Sequence, residues 1–268
     1  MDWTLLPVLL ALGGSVGFLA GLLGIGGGMS MVPLLTIVFT AASFPPDHVV
    51  HMAVATATST MVFTALSSAS AHQRKGAVLW PVVAAMGPGI VVGSLIGPQI
   101  ASALPGPVFA AVFGAFVWFA AARMLLARHA TGERPLPGKA VLFGVASGIG
   151  VISGLLGAGG AFITVPFLER HNVRIQQAIA TSAALGLPIA VAATIGFIVA
   201  GLRQPGLPKW SLGYVYLPAM AAIVVASMLF APVGASVAHR WPATKLRRAF
   251  AALLFALGAY MFSKAIRG

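Results

Sequence analysis

Apolar residues fall along this chain in ten runs, at about 4–22, 29–43, 48–71, 77–102, 106–128, 140–156, 160–169, 174–201, 210–238 and 242–265. A helix that crosses a bilayer needs roughly 20 consecutive apolar residues. Most of the runs approach that length. Two of them, 29–43 and 160–169, are shorter, and each follows a cluster of glycines. The pattern predicts two series, each a broken segment followed by three full helices. A polar, proline-bearing stretch from His129 to Lys139 lies between them. The expected organisation is a first transmembrane repeat over 1–128, a linker over 129–139 and a second repeat over 140–268.

The two series also match in detail. Gly21-Leu22-Leu23-Gly24-Ile25-Gly26-Gly27-Gly28, leading to Val32-Pro33, returns as Gly154-Leu155-Leu156-Gly157-Ala158-Gly159-Gly160, leading to Val165-Pro166. Ala53-Val54-Ala55-Thr56 resembles Ala178-Ile179-Ala180-Thr181, and Gly93 to Pro98 resembles Ser227 to Pro232. A helix breaker inside an apolar run exposes backbone groups that lipid cannot satisfy, so it is tolerated only against protein or a polar cavity. Breaks at matching positions of two halves point to a transporter binding site. Glycines four apart, at Gly13/Gly17/Gly21, Gly89/Gly93/Gly97, Gly144/Gly148 and Gly150/Gly154, are expected to let helices approach closely in lipid. That spacing is compatible with a monomer or a homodimer.

Charge sets the expected orientation. If each broken segment turns back at its glycines, Arg74, Lys75, Arg123, Arg128, Arg134, Lys139, Arg170, Arg174, Arg240, Lys245, Arg247 and Arg248 share one face. Only Arg203, Lys209, Lys264 and Arg267 then lie on the other. That asymmetry is what the positive-inside rule demands, whereas parallel repeats leave only a weak bias. The fold class read from the chain is therefore an all-α polytopic membrane protein of two inverted repeats. Each repeat is a re-entrant or discontinuous segment plus three transmembrane helices, and both termini lie outside.

In this geometry the short helix after each break starts near the membrane centre. A helix N-terminus carries about +0.5 of an elementary charge and free N–H donors, which suits an anion. Gly26, Gly27, Gly28, Gly159 and Gly160 would free backbone donors. Ser30, Thr56, Thr181 and Ser182 would complete the shell. Thr56, Thr60, Thr64 and Ser67 form a polar stripe at helical spacing, and bonding between helices is the alternative use of such residues. Thr56 stands apart because its counterpart in the second half is also a threonine.

Composition then narrows the function. Of 268 residues, 59% are hydrophobic and 7% charged, far below the roughly 25% charged of soluble domains. The formal charge of +12 would suggest nucleic acid in a soluble protein, but here the basic residues sit in short loops and no basic domain exists to hold a duplex. There is no cysteine and no phosphate-binding G-x-x-x-x-G-K-[ST] loop. The first basic residue is Arg74, so the start lacks the basic region of a cleaved signal and is expected to be the first membrane segment. Motifs for a zinc protease or a serine hydrolase are absent, and Ser147 and Ser153 have no evident histidine partner. The acids Asp2, Asp47, Glu133 and Glu169 all fall in termini or loops, so no carboxylate is expected inside the membrane to couple protons or sodium. His51 and His72 lie near helix ends and are expected at the interface. An inside-negative potential would drive an anion outward without coupling.

The paired G-L-L-G-x-G-G stretches ending in Val-Pro, each with an Ala-Thr segment after it, resemble the sulfite exporter TauE/SafE family of membrane permeases. So do His51-Met52-Ala53-Val54-Ala55-Thr56, Ser67-Ser68 and the loop His72-Gln73-Arg74-Lys75-Gly76-Ala77-Val78. The family pattern often has Thr-Ser where this chain reads Thr56-Ala57; Thr181-Ser182 keeps it. The resemblance implies a transporter of the bacterial inner membrane for small, often sulfur-containing anions, with no cofactor. The reading is a secondary transporter or facilitator of sulfite or an organosulfonate, working outward, with a small anion and membrane lipids as its partners. A non-transporting membrane scaffold or assembly partner is the alternative.

Overall fold

The structure is a computed structural model and describes residues 5–23, 28–74, 76–126, 135–238 and 243–267. The first half contains α1 (Leu5–Leu23), α2 (Gly28–Ala41), α3 (Val49–Arg74), α4 (Trp80–Ala103) and α5 (Gly106–Leu126). The second contains α6 (Lys139–Leu156), α7 (Ala161–Arg170), α8 (Ile175–Gly201), a hairpin of β1 (Ser211–Leu212) and β2 (Val215–Tyr216), α9 (Leu217–Ala238) and α10 (Ala243–Arg267). Among the described residues, seven helices are long and apolar enough to cross a membrane: α3, α4, α5, α6, α8, and the segments Leu217–Gly234 of α9 and Arg248–Arg267 of α10. The chain is thus an all-α polytopic membrane protein.

Proline and glycine set the boundaries. Pro81, Pro107 and Pro218 are each the second residue of their helix, where a missing N–H costs no helical bond. Pro33 and Pro166 lie five residues after the starts of α2 and α7, which marks these as the short, interrupted members of the set. At 1.5 Å per residue α7 reaches about 15 Å, half the hydrocarbon core. The run expected to be helical over 210–238 begins instead with the hairpin, which pairs Ser211 with Tyr216 and Leu212 with Val215. Gly213 turns it with φ +56°, the left-handed position that a type II′ hairpin gives to glycine.

Two compact units emerge from the fold: residues 1–60, 102–127 and 197–268 form one, and residues 61–101 and 128–196 form the other. In the first unit α1 lies along α9, so close that a Cβ on Gly17 would come within 2.5 Å of Ser227 Cα. In the second, α4 lies along α6. A Cβ on Gly97 would come within 2.5 Å of Leu155 N, and one on Gly93 would overlap the Ser147 carbonyl. Ser94 Oγ donates to the Gly150 carbonyl at 3.3 Å across the same seam. Gly144 and Gly148 have nothing within 4 Å of a Cβ, so their spacing does not mark a close helix contact. Met86, Ile90, Ile149, Leu168, Leu185 and Ile189 form the core of the second unit.

Candidate functional site

The second glycine cluster breaks the chain between α6 and α7. Gly157 ends α6 in the left-handed conformation, φ +60°, with its N–H on the Ser153 carbonyl. Gly160 opens α7 at φ +41°, and its carbonyl accepts from Ile163 N at 3.0 Å and Thr164 N at 2.9 Å. A side chain at φ +41° would be strained, and there is no room for one. A Cβ on Gly160 would lie 2.7 Å from Ile189 Cδ1. A Cβ on Gly159 would lie 3.0 Å from Met61 Cε. The break is therefore enclosed by α8 and by the part of α3 that belongs to this unit. No side chain caps the start of α7, where Ala161 N donates to the Gly159 carbonyl and Ile163 N to the Gly160 carbonyl.

Two hydroxyls accompany the break. On α7, Gly160, Thr164 and Leu168 are four apart and share one face. On α8, Ala178, Ser182, Leu185 and Ile189 follow at intervals of four, three and four, again one face. Leu168, Ala178, Leu185 and Ile189 belong to the apolar core. Thr164 and Ser182 thus stand in stripes that are otherwise hydrocarbon or glycine. Thr164 is 0% exposed and Ser182 3%, and neither hydroxyl has a hydrogen-bond partner among the described residues. An unsatisfied buried hydroxyl costs about 1–3 kcal/mol. Two of them on the faces beside a helix break are suited to a solute that accepts hydrogen bonds. Thr181, next in the chain, is used differently: its Oγ1 accepts Leu79 N at 3.0 Å.

The sequence reading singled out Gly159, Gly160, Thr181 and Ser182, and all four lie in this unit. It passed over Thr164, whose single hydroxyl sits between Ile163 and Val165 inside an apolar run. The spacing of four from Gly160 is the signal that could have found it.

The first break falls in the other unit. Gly26 and Gly27 lie outside the described residues. Gly28 starts α2, and both Gly28 and Ser30 are buried. Thr60 Oγ1 lies 3.2 Å from Met31 Sδ and 2.7 Å from the Ala57 carbonyl, which joins α3 to α2. Thr56 Oγ1 accepts Tyr216 N at 3.1 Å. Thr58, Ser59 and Thr64 donate to carbonyls of their own helix, and Ser67 is exposed. Within the stripe, Thr60 and Thr64 thus bond back to α3, whereas Thr56 reaches out of the helix.

His51, expected at the interface, is only 2% exposed. It stacks on Tyr214 with ring centroids 5.3 Å apart and lies 4.9 Å from the Phe109 ring. Burial pushes the Tyr214 phenol above its ordinary pKa of 10.0. Asp47 is exposed and Glu169 lies in the last turn of α7. No group of three or more metal-binding side chains occurs among the described residues.

Residues 9–261 match the family model described as Sulfite exporter TauE/SafE. A probable membrane transporter protein of Haemophilus influenzae is 33% identical, over 98% of this chain and 100% of its own length. One from Bacillus subtilis is 28% identical over 87% of this chain and 91% of its own. One from Methanocaldococcus jannaschii is 24% identical over 96% and 95%. No solved structure matches the chain.

Proposed function

The chain belongs to the sulfite exporter TauE/SafE family, and on that footing we propose that it is a membrane transporter that carries a small oxyanion, sulfite or an organosulfonate, out of the cell. The observation that carries the anion reading is the pairing, in one unit, of a glycine-broken helix start with the buried, unpartnered hydroxyls of Thr164 and Ser182. N–H and O–H donors suit an anion, and they do so without a cation in the hydrocarbon. Family membership also places the chain among transporters rather than enzymes.

Direction follows from charge. Neither Asp47 nor Glu169 lies within one of the seven long apolar helices, so no carboxylate there is available to couple import to protons or sodium. An inside-negative potential favours anion exit by roughly 2.3 kcal/mol per charge per 100 mV. The distribution of Lys and Arg supports a reading with both termini outside, and the proposed location is the bacterial inner membrane.

Inverted repeats are supported by contacts that exchange the halves. α1 of the first half lies on α9 of the second, and α6 of the second lies on α4 of the first. The threonines behave alike: Thr56 holds Tyr216, and Thr181 holds Leu79. The test is anion flux from proteoliposomes loaded with sulfite, thiosulfate, sulfoacetate or a carboxylate control at set voltages. Flux of sulfite above that of protein-free vesicles, faster when the potential drives anions out, is the expected result. Flux at the protein-free level for all of them would refute the reading.

A further inference from the structure

Among the described residues, the site in the second unit contains no fixed cation, and that limits the charge it can hold. This inference rests on the anion reading above. The polar groups at the break are the start of α7, equivalent to about half an elementary charge, the hydroxyls of Thr164 and Ser182, and the buried Ser153 Oγ, 3.5 Å from where a Cβ on Gly160 would lie. Around them stand Ile149, Leu168, Leu185, Ile189 and Met61, all hydrocarbon or thioether. The described cations of this unit, Arg74, Lys139, Arg170 and Arg174, are all exposed.

Removing water from an ion costs free energy that rises with the square of its charge. A helix end and neutral hydroxyls return stabilisation that rises only in proportion to that charge. Doubling the charge therefore multiplies the cost by about four and the return by about two. A monoanion can be balanced here and a dianion cannot. We infer that the site selects singly charged oxyanions, such as a sulfonate or hydrogensulfite, over dianions such as sulfate. Thr164, one turn into α7 on the face of Gly160, is a second hydroxyl ligand beside Ser182.

The experiment compares methanesulfonate, a monoanion throughout the working pH range, with sulfate, a dianion throughout it, in proteoliposomes of the intact chain. Methanesulfonate flux is expected to exceed sulfate flux by at least about tenfold. Sulfite flux should fall as pH rises past neutrality and hydrogensulfite loses its proton, while methanesulfonate flux stays level. Comparable flux of sulfate and methanesulfonate, or sulfite flux that climbs with pH, would overturn the charge selection and leave anion transport standing. Absence of flux for methanesulfonate, sulfate and sulfite alike would overturn both readings. Thr164→Val should lower methanesulfonate flux about tenfold and Thr164→Ser should largely restore it; full flux in a well-inserted Thr164→Val protein would remove Thr164 from the site. The wild-type comparison decides the charge selection even where a variant fails to insert.

Discussion

Thr181 accepts the backbone N–H of Leu79 on its hydroxyl at 3.0 Å, although 102 residues separate them. Leu79 immediately precedes α4, so a side chain in the middle of the second half fixes where a helix of the first half begins. Thr56 does the same for Tyr216, the residue before α9, at 3.1 Å. The two threonines first stood out as candidate substrate contacts. Their observed bonds make them the anchors of helix starts, whereas Thr164 and Ser182 are buried hydroxyls with no partner among the described residues.

Replacing either anchor by valine keeps the shape and removes the acceptor. The Tyr216 N–H is buried, so Thr56→Val should cost about 1–3 kcal/mol. The Leu79 N–H is half-buried, and Thr181→Val should cost less. Serine at either position should recover most of the loss. Thermal unfolding in detergent measures this, and an unchanged midpoint in Thr56→Val would show that the bond is dispensable.

Gly160 is held both by its left-handed backbone and by the methyl of Ile189. Gly160→Val should abolish flux while the protein still inserts, because it would reshape the start of α7, the proposed anion site. Flux at the wild-type level would place the site elsewhere. Reducing Ile189 to alanine should relieve the clash but not the backbone strain, which costs about 1–2 kcal/mol, and so should rescue Gly160→Ala only in part.

The glycines of the α4 and α6 seam divide sharply. A Cβ on Gly93 would overlap the carbonyl of Ser147, and Gly144 faces open space. Gly93→Ala should lower the unfolding midpoint by several degrees or prevent recovery of folded protein. Gly144→Ala should be neutral or stabilising by up to about 1 kcal/mol, through its helical backbone alone. Equal effects at the two positions would contradict the observed seam.

Burial raises the pKa of the Tyr214 phenol above 10.0, so the folded state holds the phenolic proton more tightly than the unfolded chain. Its contribution is complete below pH 10 and is lost as pH climbs through the folded value. Stability should therefore decline in strongly alkaline solution more steeply for the wild type than for Tyr214→Phe, which retains the ring stacked on His51. Parallel alkaline profiles for the two proteins would assign the decline to other groups.

Much of this architecture is legible in the sequence, for physical reasons. Long apolar runs punctuated by proline and glycine can only be helices in lipid, and the break at 157–160 follows from glycines where a helix needs none. The hairpin at 211–216 is not legible, because Leu212, Tyr214, Val215 and Tyr216 merge with the apolar run of α9. His51 reads as interfacial from its place near a helix end, yet Tyr214 arrives from a distant hairpin to bury it. Spacing alone also cannot tell Gly93, pressed on a carbonyl, from Gly144, which touches nothing. Which helix each glycine face meets is decided by tertiary pairing, and small residues carry too little pattern to encode it.

The pairing of α1 with α9 and of α4 with α6 has a consequence for biogenesis. When the ribosome has delivered the first half, the glycine faces of α1 and α4 still have no mate, and α1 waits for about 200 further residues before α9 arrives. Neither half should mature by itself. Two fragments divided in the 129–139 linker should be degraded when produced singly and should assemble when produced together.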